Sequence, residues 1–255
     1  MEKYRIRFSK TGRAKYVSHL DLLKVFTRCA RRTGIELEYS QGFNPHAELV
    51  FSAPLPLGMT SDAEYVDISL SRETDPYELL ETLKKSLPEG IEPLKIRKLE
   101  QGEGSVMKPV RYAKYRIFGE YMGIGRGRMF RETFLEIFEG TVDICLRSNE
   151  PVLTLKKSKS GTKMADIRPM ISSFGDDPEC SEAGLFSFYA ILACGNEVNL
   201  RPEVAFKGVF DNINGMDPAE RAENDTTDCP GSVLPVRFLS AHKIEFLDGD
   251  KNILW

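Results

Sequence analysis

Residues 3–99 switch between two hydrophobic periods in a fixed order, and that order limits the folds open to the chain. Residues 3–9 alternate with period two: Tyr4, Ile6 and Phe8 take one face, Arg5 and Arg7 the other. Residues 18–33 repeat at three and four through Leu22, Val25, Phe26, Cys29 and Ala30, and Gly34 follows as a natural helix stop. Residues 35–39 and 47–53 are strand-like on either side of a polar turn, and 65–70 alternate again. Asp75-Pro76-Tyr77-Glu78 supplies a cap, a proline at the first helical position and a carboxylate three residues after the cap. Leu79, Leu80, Leu83 and Leu87 give that helix a buried stripe, Pro88-Glu89-Gly90 ends it, and 91–99 read as a strand. The order is β-α-β-β-α-β.

Gln101-Gly102-Glu103-Gly104-Ser105 reads as a linker, after which the order begins again. Residues 112–118 alternate, and 128–139 place Phe130, Phe134, Ile137 and Phe138 on one stripe before Gly140. Residues 141–146, 152–157, 185–192 and 236–246 are strand-like, Pro202 opens a short helix over 202–210, and insertions fall at 156–162 and 172–183. No residue-level repeat joins the halves, so the duplication rests on element order. The expectation is an α+β protein of two tandem ferredoxin-like sandwiches with antiparallel sheets, spanning 1–104 and 105–255, with an acidic loop at 211–230. Helices would cover one face of each sheet and leave the other free to bind. By strand parity Arg5, Arg7, Lys95 and Arg97 would lie on the first open face, and Lys114 and Arg116 on the second.

The charge is uneven. The whole chain is formally −3, yet from Lys3 to Arg32 ten basic residues face one carboxylate, Asp21. A local field of that kind is the footprint of a polyanion-binding surface such as one for RNA. No apolar run approaches the roughly 20 residues of a membrane helix, and the N-terminus lacks a secretory h-region. Five cysteines at irregular spacing, with no C-x-x-C pair, argue against zinc ribbons, redox dithiols and iron–sulfur runs. The expectation is a reducing, cytoplasmic setting with no metal or cofactor.

Three groups of residues carry candidate chemistry. Ser18-x-x-Asp21 has the spacing of a capping box; His19 beside it would meet an anion at the helix N-terminus, with Lys10, Arg13 and Lys15 around it and Gly12 allowing the turn. Arg31 and Arg32 close the same helix. In Gln41-Gly42-Phe43-Asn44-Pro45-His46, Phe43 would either stack on a base, with Gln41 or Asn44 reading its edge, or tuck into the core. Pro54-Leu55-Pro56-Leu57-Gly58 next to it reads as a rigid buried crossing. His19 and His46, were they to flank one phosphate, would suit metal-independent RNA cleavage. In the second half, Lys163 belongs to a basic hairpin tip at 156–163, while Arg168-Pro169 and Arg201-Pro202 are either phosphate clamps or braces to Asp166 and Glu203.

The stretches Arg5-Ile6-Arg7-Phe8, Tyr16-Val17-Ser18-His19-Leu20-Asp21-Leu22, Tyr39 through His46, Pro54 through Gly58, Gly161-Thr162-Lys163, Asp166-Ile167-Arg168-Pro169 and Asn199-Leu200-Arg201-Pro202-Glu203 resemble a bacterial radical-SAM-associated domain family of unknown function. The resemblance covers residues 3–210. It implies a domain that stands alone, follows a cobalamin-binding radical SAM protein, or occurs beside RNase E/G-type enzymes. It brings no established activity. The chain has no C-x-x-x-C-x-x-C run, so radical chemistry would belong to a partner. The combined expectation is an RNA-binding or adaptor protein rather than an enzyme. Its rivals are a metal-independent endonuclease using His19 and His46, and a protein-docking module that binds no RNA.

Overall fold

The computed structural model describes residues 2–123, 128–148, 150–158, 161–195, 197–215 and 234–254. The fold class is α+β: among the described residues there are four α-helices, a mixed eight-stranded sheet and a separate two-stranded hairpin. The sheet is thus mixed rather than antiparallel throughout, although the ladders described below are all antiparallel. The chain divides into two compact units, residues 1–111 with 243–255, and residues 112–242.

In the first unit the order is β1 (Glu2–Lys10), a 3-10 turn (Gly12–Tyr16), α1 (His19–Thr33), β2 (Leu49–Phe51), β3 (Thr60–Leu70), α2 (Pro76–Ser86) and β4 (Ile91–Lys98). β1 pairs with β3 and with β4, and β2 pairs with β3. The alternation of β1 buries Tyr4, Ile6 and Phe8 against Leu22, Phe26 and Cys29 of α1, Leu79 and Leu83 of α2, and Val66, Ile68 and Leu70 of β3. Ser18 caps α1, its hydroxyl oxygen accepting the Asp21 amide at 3.2 Å. The reciprocal half of the capping box is absent: the Asp21 carboxylate accepts the Ser18 hydroxyl at 2.7 Å instead of reaching the cap amide. Gly34 ends the helix with φ 71°, a left-handed value that suits glycine. Residues 35–39 and 47 form only the isolated bridges Leu37 to Leu70 and Tyr39 to Ala47, because a polar seven-residue excursion separates them.

The second unit runs β5 (Tyr112–Tyr121), α3 (Arg128–Arg147), β6 (Leu153–Ser158), β7 (Gly161–Asp166), β8 (Ile171–Cys180), β9 (Leu185–Ala193) and α4 (Pro202–Ile213). β9 lies between β5 and β8, and β6 pairs only with β7. Its core is aromatic: Phe138 sits 5.1 Å from Phe188 and 5.8 Å from Phe210, ring centre to ring centre. Three expectations are corrected here. Residues 141–146 are helical, because Phe134, Phe138, Val142 and Cys145 continue one buried stripe straight through Gly140. The expected insertion at 172–183 holds β8, whose alternation is broken by register shifts around Gly175 (φ 85°) and Asp177 (φ 53°). Asp211, assigned above to the acidic loop, is buried on α4. The remainder of that loop from 216, Cys229, and the hairpin tip at 159–160 lie outside the described residues.

β10 (Val236–Leu247) belongs to both units, its residues from Lys243 onward to the first. There Phe246 is fully buried, 6.0 Å from the ring of Tyr65. No helix among the described residues is long and apolar enough to cross a membrane.

Candidate functional site

The basic residues of β1 do point away from the helices, but they do not form an open cationic face. Arg5 is buried: its Nε and a terminal nitrogen donate to the two carboxylate oxygens of Asp67 at 2.7 and 2.9 Å. The same guanidinium donates to Glu103 at 3.2 Å and to the Gly104 carbonyl at 2.9 Å. Arg7 is paired with Glu245 at 2.7 Å, and the other oxygen of that carboxylate accepts the Tyr65 hydroxyl at 2.8 Å. Burial, with Glu245 second, pushes the Tyr65 phenol well above its ordinary range.

Lys10 was expected beside an anion at the start of α1. It is 1% exposed and donates to the Val17 carbonyl at 2.7 Å, so it braces the chain's entry to the helix from inside. Burial lowers its pKa, Glu64 opposes that shift, and Lys243 adds to it. Lys243 itself is buried, 2.6 Å from Glu64 and 4.0 Å from the ring centre of Phe246. For Arg5, Arg7 and Lys10 the expectation of open exposure is therefore corrected: a sheet face shielded from water holds such charges only when they are paired or hydrogen-bonded.

The helix start and the polar loop are where exposed chemistry remains. Arg13 and Arg31 are exposed, and neither has an ion pair among the described residues. The Lys15 ammonium lies 5.2 Å from the ring centre of Tyr16. Arg32 is exposed and donates to the Ser86 carbonyl at 2.7 Å, which ties the end of α1 to the end of α2. Phe43 is 106% exposed, and Gln41, Asn44 and His46 around it are all exposed. The alternative of a core-tucked Phe43 is thereby corrected: the stem of the loop is fixed by Ser40 and His46, whose side chains meet at 2.8 Å, and this turns the tip outward. His19 packs edge-on against Phe51 of β2 at 5.5 Å. The two imidazoles thus have separate neighbours. The loop's return strand and the first turn of α1 meet through the His19–Phe51 contact.

The turn at 54–58 is not wholly buried. Leu55 is buried but Leu57 is exposed, and the Gly58 amide donates to the Lys15 carbonyl at 3.0 Å. Tyr16 and Leu20 are exposed as well. The exposure of Leu57 corrects the expectation of a buried crossing at 54–58.

In the second unit Arg168 braces the fold. Its guanidinium donates to the Leu146 carbonyl near the end of α3, and its amide donates to Asp166 at 2.9 Å. Arg201 forms an ion pair with Glu203 at 3.1 Å, as the brace alternative held, and is more than half exposed. Lys163 is exposed on β7. Among the described residues no group of three or more His, Cys, Asp and Glu side chains is arranged to hold a metal.

The fold and its surface define an α+β protein with an exposed loop of mixed aromatic, amide and imidazole character. The chain belongs to the DUF2344 family, described as an uncharacterized protein conserved in bacteria, whose model matches residues 3–202. No curated protein matches it.

Proposed function

We propose that this chain binds single-stranded RNA and presents it to a partner protein of the radical SAM or RNase E/G type. The observation that carries the reading is the fully exposed Phe43 between exposed Gln41, Asn44 and His46. A bare aromatic ring at a loop tip gains by stacking on an unpaired base, and the flanking amides and imidazole suit base edges. Arg13, Lys15, Arg31 and Arg32 supply phosphate contacts from the helix ends. The reading contains no cleavage step, since His19 and His46 have different neighbours. It also takes each unit as ferredoxin-like. In the first, the element order and the pairing β4-β1-β3-β2 support that assignment.

The test is a fluorescence-anisotropy titration of a short unpaired RNA at several salt concentrations. Affinity should fall steeply with salt. Phe43→Ala should weaken binding about tenfold, as expected for one lost base–aromatic stack, and charge reversal at Arg13 and Lys15 should weaken it without unfolding the chain. Absent or salt-independent binding would sink the proposal. The exposed Tyr16, Leu20 and Leu57 favour a second reading, a docking surface for a partner protein. That reading is selected if such a partner co-purifies while no RNA binds.

A further inference from the structure

The rungs of the first sheet hold an arrangement that strand pairing by itself disfavours. Arg5 of β1 lies directly opposite Arg97 of β4, and Arg7 directly opposite Lys95. Like charges facing each other across a ladder repel. On the other side Arg5 faces Asp67 of β3, which holds its Nε edge. One anion from outside the sheet completes the rung. The Glu103 carboxylate is held by both terminal nitrogens of Arg97, at 2.9 and 2.5 Å, and by Arg5 at 3.2 Å. Two guanidiniums converging on one pair of oxygens make the donor fork that suits a phosphate.

Glu103 reaches this place on a short strap. Gly102 (φ 86°) and Gly104 flank it, and beyond them Val106 and Met107 are buried anchors. The carboxylate is only partly covered, with its side chain 26% exposed and that of Arg97 37% exposed. Glu100, Gln101, Gly102 and Glu103 also line a cleft of about 630 Å3, so the strap is not packed on every side. The Asp67 contacts to Arg5 and to the Val106 amide do not involve Glu103 and would persist once it left.

We propose that Arg5 and Arg97, with Lys95 on the next rung, form a phosphate subsite that the chain's own Glu103 occupies, and that a phosphate oxyanion displaces the strap to bind there. The inference rests on the RNA reading only for the identity of the phosphate's source, a phosphodiester of RNA.

The test uses the full chain and two probes, inorganic pyrophosphate and a short unpaired RNA. Glu103→Gln should bind pyrophosphate about tenfold more tightly than the wild type, and Arg97→Gln added to it should abolish the gain. In the wild type, saturating pyrophosphate should speed hydrogen exchange at the amides of residues 102–104. That second measurement stands even if the variants fold poorly. Equal pyrophosphate affinity of wild type and Glu103→Gln, with unchanged exchange in the strap, would overturn the subsite. A gain for pyrophosphate without RNA binding keeps the subsite and removes RNA as its source. RNA binding that depends on Phe43 but ignores Glu103→Gln keeps the RNA reading and removes the subsite.

Discussion

The fate of a charged side chain in this protein is decided by which acceptor, carboxylate or backbone carbonyl, can reach it. Arg5 and Arg13 are indistinguishable in a count of basic residues, yet one is buried on Asp67 and the other faces water. Removing Asp67 leaves Arg5 in the interior with only Glu103 and the Gly104 carbonyl as partners, so Asp67→Ala should cost about 3 kcal/mol, read from urea unfolding. Glu103 provides a pH prediction. Its hydrogen bonds to Arg97, more than any other influence, hold its pKa at about 2, against 4.5 for an ordinary glutamate. Because the folded value is the lower one, its contribution to stability is complete above pH 4.5 and is lost as pH falls through about 2. A carbon-detected titration of the Glu103 carboxyl should show that low midpoint, and Arg97→Gln should move it upward. The sequence showed that Arg5 and Arg7 point away from the helices, since Tyr4, Ile6 and Phe8 fix the parity. It did not show their partners, because Glu103 sits in an apparent linker and Glu245 lies 238 positions after Arg7.

At the scale of elements, legibility followed periodicity. α1 and α2 were readable because their leucine and phenylalanine stripes are bounded by Ser18, Gly34 and Asp75, each with a local hydrogen-bonding or backbone reason to be there. β8 was not, because its bulges break the alternation that marks a strand. The far end of α3 was misread because Gly140 resembles a stop, whereas nothing lies within 4 Å of where its side chain would be, so its place in the helix meets no obstacle. Glycines with a positive φ separate the same way. Gly34 and Gly90 both have left-handed backbones, but a side chain at Gly34 meets open space while one at Gly90 would lie 2.5 Å from the Thr11 carbonyl oxygen. Gly34→Ala should therefore cost about 1–2 kcal/mol from backbone conformation alone. Gly90→Ala should cost more, since the turn that receives the Thr11 amide must also shift. Thermal melts of the two variants side by side check the order.

At the scale of the whole molecule, the first unit is assembled from both ends of the sequence. Lys243 meets Glu64, Glu245 meets Arg7 and Tyr65, and Phe246 is fully buried, all within thirteen residues at the end of the chain. A fragment of residues 1–111 would keep its helices but leave Glu64 and Arg7 without these partners. Its near-ultraviolet circular dichroism should be weak and its urea transition broad, and adding a peptide of residues 243–255 should sharpen both. During synthesis this arrangement imposes a wait. A ribosome moving at roughly 5–20 residues per second delivers the opening strands many seconds before the closing ones, and over that interval the nascent amino-terminal portion stays unfinished, the state in which a chaperone would meet it.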